Sequence, residues 1–469
     1  MTARMGPRIS RGALVATLAG NTLEFYDFIT YTFFAIYVGK AFFPTDSEFA
    51  SLLLSVATFG VGFLTRPLGG IWIGAYADRV GRKPALLLTI VLMTIGTLGL
   101  CATPSYASIG LAAPVLLVLS RLVQGVALGG EVGTASAVLL ECAPPDKRAL
   151  YISLQTLSQG VATLGAGLVG VTLALLLDAE QLASWGWRAA FAVGLLLVPV
   201  GFYLRQALPE TLPTPKHQSA TDVLHAVLRD HRHELVLVVL VTMCMTVSAY
   251  VLNFMTTYAM TTLGMAASSA LVAPITVGVV TIVGALMGGP LCERFGRKRT
   301  MIVSRLITIV VVIPAFMYVL HERSVFALVV MIAVIGLASI PGAVAALTVM
   351  AEVFPADIRA AGISLAYALT VTIFGATTQV MITWLIRVTG SPLSPAVYVI
   401  ATSAISIIAM TMLRETGDRT RRCCEWHSRD APHRQDHAAR SCRGAVRPLE
   451  DEGLRRTNRR ARGRHPLTF

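Results

Sequence analysis

The chain has 469 residues, 55% of them hydrophobic and only 14% charged, with a mean hydropathy of +0.67. A soluble protein carries nearer a quarter charged residues, so the composition excludes an ordinary soluble domain and points to an integral membrane protein. The formal net charge of +13 is not a nucleic-acid signature. Arg414 to Phe469 holds fifteen Arg against eight Asp or Glu, and most other cations sit in short connections, so no nucleic-acid partner is expected.

In chain order, twelve apolar runs are long enough to cross a bilayer as helices, at about 13–36, 52–76, 85–103, 112–140, 150–177, 187–206, 234–262, 270–291, 300–320, 325–352, 360–388 and 394–413. Arg4, Arg8 and Arg11 precede a first run too long for a cleaved signal core. With the N-terminus inside, seventeen Lys and Arg fall in the cytoplasmic connections and four, Lys40, Arg188, Arg323 and Arg387, in the outer ones. The asymmetry predicts both termini in the cytoplasm. The seven Cys suggest no disulfide framework.

Two charged turns lie in register. Gly74, Asp78, Arg79, Gly81 and Arg82 after span two align with Gly289, Glu293, Arg294, Gly296 and Arg297 after span eight. A second echo follows spans four and ten, where Glu141 and Arg148 match Glu352 and Arg359. The longest connection, Gln206 to His233, divides the spans six plus six. The expected division is residues 1–205, a central loop 206–233, residues 234–413, and an Arg-rich tail 414–469.

This pattern resembles the major facilitator superfamily from Gly20 to Leu413. The resemblance implies an all-α, twelve-helix membrane fold of two six-helix bundles, related by a pseudo-twofold axis along the membrane normal. A substrate site would lie between them at mid-depth. The charged turns are then either a cytoplasmic latch or positive loops that only set orientation.

Ionisable groups inside spans are functional suspects. In span one, Asn21, Glu24, Asp27 and Tyr31 fall within one third of the helix surface. Asp27 is the candidate proton carrier, with Glu24 beside it. Arg66 in span two is at similar depth and is expected to face Asp27, as a fixed ion pair or as a pair whose acid exchanges a proton, and both Arg66 and Asn21 are also candidates for contact with an anionic substrate. In span four, Arg121 near mid-membrane is the leading candidate for holding a carboxylate, and Gln124 lies one turn on. Gly125, Gly129 and Gly133 form a stripe permitting close helix approach. Glu131 is assigned to the latch through Arg79 or Arg82. Gln155 and Gln159 of span five, and Tyr250 and Asn253 of span seven, complete the candidate substrate site. Pro341-Gly342 in span ten is expected to break that helix and free carbonyls.

The strings Gly20–Phe28 (GNTLEFYDF), Arg66–Gly70 (RPLGG), Arg121–Glu131 (RLVQGVALGGE) and Trp185–Phe191 (WGWRAAF) narrow the resemblance to the metabolite–proton symporter branch. Lys40–Leu54 and Ala345–Gly375 are most similar to its citrate and tricarballylate carriers. The resemblance implies inner-membrane import of an organic acid with a proton, by a monomer without cofactor or metal. Proline, betaine, shikimate or 2-oxoglutarate are alternative cargoes, and a transporter-like sensor is a rival of another class. No constellation for an enzyme is present.

The tail departs from the branch. Cys423, Cys424, His427, His433, His437 and Cys442 match no standard zinc spacing. Arg-rich, Lys-free text fits a basic tail on anionic lipid or an out-of-frame reading better than a metal domain.

Overall fold

The computed structural model describes residues 11–144, 146–206, 226–354, 359–413 and 415–416. The tail from 417 onward, with its Cys and His, and most of the central loop lie outside these residues. So do the side chains of Asp78, Arg79, Arg82, Glu141 and Arg359.

Among the described residues the regular structure is helical. Span one is Arg11–Phe33, and span two is Glu48–Leu64 continued by Arg66–Val80. Spans three to six are Arg82–Ala102, Ala112–Cys142, Arg148–Leu176 and Trp187–Gln206. Span seven is Arg232–Asn253 with Met255–Thr261, and spans eight to ten are Val272–Phe295, Arg297–Glu322 and Val325–Val353. Span eleven joins Arg359–Thr370 to Ala376–Thr389 through one wide turn, and span twelve is Ser394–Met412. Eleven helices among the described residues are long and apolar enough to cross a membrane. Span one, which carries Asn21, Glu24 and Asp27 along its length, is the remaining crossing of the expected twelve.

Proline and hydroxyl chemistry shapes the spans. Pro67 has no N–H to offer the Phe63 carbonyl four residues back. That oxygen accepts instead from Thr372 Oγ1 of span eleven at 2.7 Å, which ties the two halves of the protein together. Span ten was expected to break at Pro341-Gly342, yet it runs unbroken from Val325 to Val353. The Ser304 hydroxyl of span nine inserts into its hydrogen-bond ladder, accepting from Gly342 N at 3.0 Å and donating to Ala338 O. The Ala338 carbonyl, released from Gly342, is taken up by Ser304, and the helix continues.

Two seams join the halves. Span five passes span eight along its length: Leu150 and Ser153 lie against Gly289, Gly160 against Ile282, and Gly167 against Ile275. Span two passes span eleven, with Gly70 against Ser364 and Gly60 against the Ala376 carbonyl. Gly129 of span four lets span two in: a Cβ there would stand 2.1 Å from the Arg66 carbonyl oxygen.

The repeated turns share one backbone device. Gly81 and Gly296 have φ of 129° and 90°, and each immediately precedes the helix that follows its turn. Only glycine takes up such angles freely. In the second turn Arg297 reaches Glu293 at 3.1 Å and Glu352 at 3.3 Å. Glu293 Oε1 also accepts from the Ala149 amide at 2.8 Å. This amide follows Arg148 at the start of span five, so the turn grips the other half. Arg294 extends over the Phe295 ring instead.

Candidate functional site

Asp27 is 3% exposed and Arg66 1%, but they do not pair. Asp27 Oδ2 accepts from the Thr97 hydroxyl of span three at 2.8 Å, while Oδ1 lies against Gly194 of span six without a hydrogen-bond partner. Helix depth alone suggested Arg66. Rotation about the helix axis instead turns Asp27 toward spans three and six.

From Thr97 a chain of side chains leads to Arg121. Gln124 Nε2 donates to Thr97 Oγ1 at 2.9 Å, and Arg121 Nη1 donates to Gln124 Oε1 at 2.6 Å. Arg121 is fully buried, and its Nε and Nη2 have no acceptor. Its guanidinium lies 4.4 Å from the Tyr31 ring centroid. Asp27 and Arg121 attract one another electrostatically through two intervening side chains.

Arg66 occupies an aromatic slot, 4.5 Å from the Phe28 centroid and 4.2 Å from that of Phe63. Its three guanidinium nitrogens lack hydrogen bonds of good geometry, although the Tyr250 and Tyr367 hydroxyls lie within electrostatic reach. Tyr250 comes from the second half and packs edge-on against both Phe59 and Phe63, with centroids 6.0 and 5.4 Å away. Rings and two cations thus form one buried cluster.

The rest of the span-one face disperses. Asn21 donates to Ser158 at 2.6 Å, a bond within the span-one to span-five packing. Thr89 Oγ1 lies 2.9 Å from Glu24 Oε1 and 3.2 Å from Glu131 Oε2, so one hydroxyl meets two buried carboxyls. Glu131 is therefore beside Glu24, and its expected pairing with Arg79 or Arg82 lies outside the described side chains. Gln155 accepts from Ser136 at 2.5 Å and is a packing residue here.

A central cavity lies between the halves, lined among others by Phe28, Gln159, Tyr250, Asn253, Tyr367 and Arg305. Of the candidate substrate residues, Gln159, Tyr250 and Asn253 face it, while Arg66 and Arg121 stand behind Phe28 and Tyr250. Sequence reasoning missed two residues. Thr97 is hidden because a threonine in an apolar helix draws no attention. Arg305 stood in plain view, an arginine within the apolar run 300–320.

The protein-family model described as Major Facilitator Superfamily matches residues 17–376 and 238–423. The chain is 36% identical over 410 residues to a citrate-proton symporter of Salmonella typhi, covering 86% of this chain and 93% of that protein. It is 36% identical over 416 residues to the Klebsiella pneumoniae citrate-proton symporter, covering 87% and 92%. A proline/betaine transporter of Salmonella typhimurium is 32% identical over 437 residues, covering 87% and 84%. The fold is similar to that of the xylose transporter XylE from E. coli in a partially occluded inward-open conformation, with a TM-score of 0.68 and 18% identity. That match covers 87% of this chain and 98% of the other. With its helical spans, its paired glycine turns and these matches over most of its length, the chain belongs to the major facilitator superfamily.

Proposed function

We propose that the protein is a proton-coupled symporter importing a citrate-like di- or tricarboxylate across the inner membrane by alternating access. The observation that carries the reading is the buried relay from Asp27 through Thr97 and Gln124 to Arg121. The named activity of the two 36%-identical relatives supports the cargo.

The relay couples charge at its two ends. With Asp27 ionised, Thr97 donates to it and the carboxylate offsets the Arg121 charge across a low-dielectric interior. A proton on Asp27 removes that offset. The Thr97 hydroxyl then has a second acceptor in the Met93 carbonyl, 3.0 Å away. Arg121, still charged and with two nitrogens free, becomes the stronger host for a substrate carboxylate. Arg66, near the Tyr250 and Tyr367 hydroxyls, adds positive potential from behind the cavity wall. Loss of the proton on the other side restores the Asp27 charge and expels the anion.

Both termini lie in the cytoplasm on the charge distribution of the connections. The Gly81 and Gly296 turns are then the cytoplasmic latch, with Glu293, Arg297 and Glu352 as its working ion pairs. Residues 1–205 and 234–413 act as the two rocking bodies of a monomer, whose partners are the organic acid, the proton and the bilayer.

Uptake of labelled citrate into proteoliposomes, with and without a proton uncoupler, tests the reading. Uncoupler-sensitive uptake is expected, together with its loss in Arg121→Ala. The proline/betaine relatives make a zwitterion the competing cargo. Uptake of proline or betaine with none of citrate would overturn the substrate and leave the coupling scheme.

A further inference from the structure

We propose that Arg305 is a carboxylate-holding residue of the central cavity, and that the cargo therefore carries at least two separated carboxylates, gripped from opposite halves of the protein. The proposal rests on the symporter reading above and adds to it the second cation that holds the cargo.

Arg305 lies eight residues into span nine, roughly 12 Å along the helix from Arg297 at 1.5 Å per residue. It is 1% exposed. A charge at that depth is expensive unless it is paired or serves transport. Arg297 on the same helix meets two carboxylates, Glu293 and Glu352. Arg305 meets only neutral dipoles among the described residues. Its Nη1 donates to Ser248 Oγ at 2.9 Å and, at a long 3.4 Å, to the Cys244 carbonyl. Its Nη2 donates to the Ser339 carbonyl at 3.0 Å, and its Nε has no acceptor.

An arginine that only tied spans seven and ten together would have no reason to face open space. Arg305 borders it, and among the described residues it is the one charged residue lining the central cavity. Arg305 borders the cavity from the second half, while Arg66 and Arg121 lie against the Phe28 ring on the opposite side, where Arg121 takes the first carboxylate in the scheme above. A carboxylate binds a guanidinium side-on through Nε and one Nη. Here Nε has no acceptor, and Nη2, the nitrogen on the same edge, carries a second N–H beside the one it donates to Ser339.

The distribution of cations explains why two carboxylates are needed. Arg66 and Arg121 belong to spans two and four, and Arg305 to span nine. A monocarboxylate can satisfy one side only. A di- or tricarboxylate neutralises both, and so draws the halves together around itself, which alternating access requires.

The test uses the full chain in proteoliposomes. Uptake of labelled tricarballylate is measured in wild type, Arg305→Gln and Arg305→Lys, with tricarballylate, succinate and propionate as competitors. Expected in Arg305→Gln is a KM for tricarballylate raised about tenfold or more, on the scale of one charge-assisted pair. Its maximal rate should change much less, and weak inhibition by propionate should stay as in wild type. Arg305→Lys should recover part of the loss. An unchanged KM, or a loss falling equally on propionate and tricarballylate, would overturn the proposal. Should Arg305→Gln fail to fold, wild-type protein labelled with phenylglyoxal and mapped by mass spectrometry gives the answer. Protection of Arg305 by tricarballylate but not propionate is expected, and no protection refutes the role. Wild-type protein that carries no di- or tricarboxylate at all would defeat the cargo assigned in the symporter reading, an outcome distinct from a silent Arg305.

Discussion

Gln124 stands between Arg121 and Thr97, accepting from the first at 2.6 Å and donating to the second at 2.9 Å. Its amide has a different atom for each role. Glutamate would lose the donor, and leucine would lose both bonds.

The relay makes Thr97 a coupling residue. Thr97→Val keeps the shape and removes the hydroxyl. Expected is a fall of about tenfold or more in uncoupler-sensitive accumulation, within the range for a misplaced proton-transfer group. Substrate counterflow, which needs no net proton movement, should persist. Normal accumulation by Thr97→Val would show that Asp27 acts without this path.

Asp27→Asn mimics the protonated carboxyl without being able to release a proton. Counterflow should continue while concentrative uptake is lost. In wild type the proton must bind from outside, so uptake should decline as external pH rises. Asp27→Asn counterflow should lack that decline, and a parallel pH profile in the two proteins would assign the proton to another acid.

Tyr250 offers a ring to Phe63 and a hydroxyl to the Arg66 side of the cavity. Tyr250→Phe preserves the edge-on contact at 5.4 Å and removes only the hydroxyl. A rise in KM of about three- to tenfold is expected, as for one lost hydrogen bond of about 1 kcal/mol. Tyr250→Ala should also lower thermal stability, because it removes the ring that packs edge-on against Phe59 and Phe63. Equal effects of the two substitutions on KM and stability would contradict this division.

The second turn grips span five through Glu293 and the Ala149 amide. Glu293→Gln weakens both that bond and the ion pair with Arg297, a loss of about 1–2 kcal/mol for charge-assisted bonds. The cytoplasmic side should then open more often. A cysteine placed at Ser153, buried at this seam against Gly289, should be alkylated faster in the variant, and an unchanged rate would argue against a latch.

Two glycines give a paired control. Gly129→Ala would bring a Cβ to 2.1 Å from the Arg66 carbonyl, whereas a Cβ at Gly74 meets nothing within 4 Å. The first substitution should reduce the yield of folded protein sharply and the second should be silent. This separates Gly74, expected from the repeat to serve the latch, from glycines that close packing requires.

Much of the fold was legible before any coordinates. Apolar runs of about 20 residues must be helices in lipid, and their ends follow from the charged turns. Gly81 and Gly296 were readable as a pair because the acid, the glycine and the arginine recur at one spacing. The helix edges moved by a few residues, and Pro341 bent no break into span ten because Ser304, on another helix, fills the gap.

The site was legible in its residue types and less so in its pairings. Asp27, Arg66 and Arg121 declare themselves, since charge within an apolar run is costly wherever it points. Their partners do not. Which neighbour Asp27 meets depends on the rotation of span one and on its height against spans three and six, and these are set by packing summed over many helices. A few tens of degrees of rotation replaces Arg66 by Thr97. Local composition therefore determined the helices, the repeat and the buried charges. Long-range packing decided the relay, the aromatic slot around Arg66 and the place of Arg305 at the cavity, because each joins side chains from different helices, far apart along the chain.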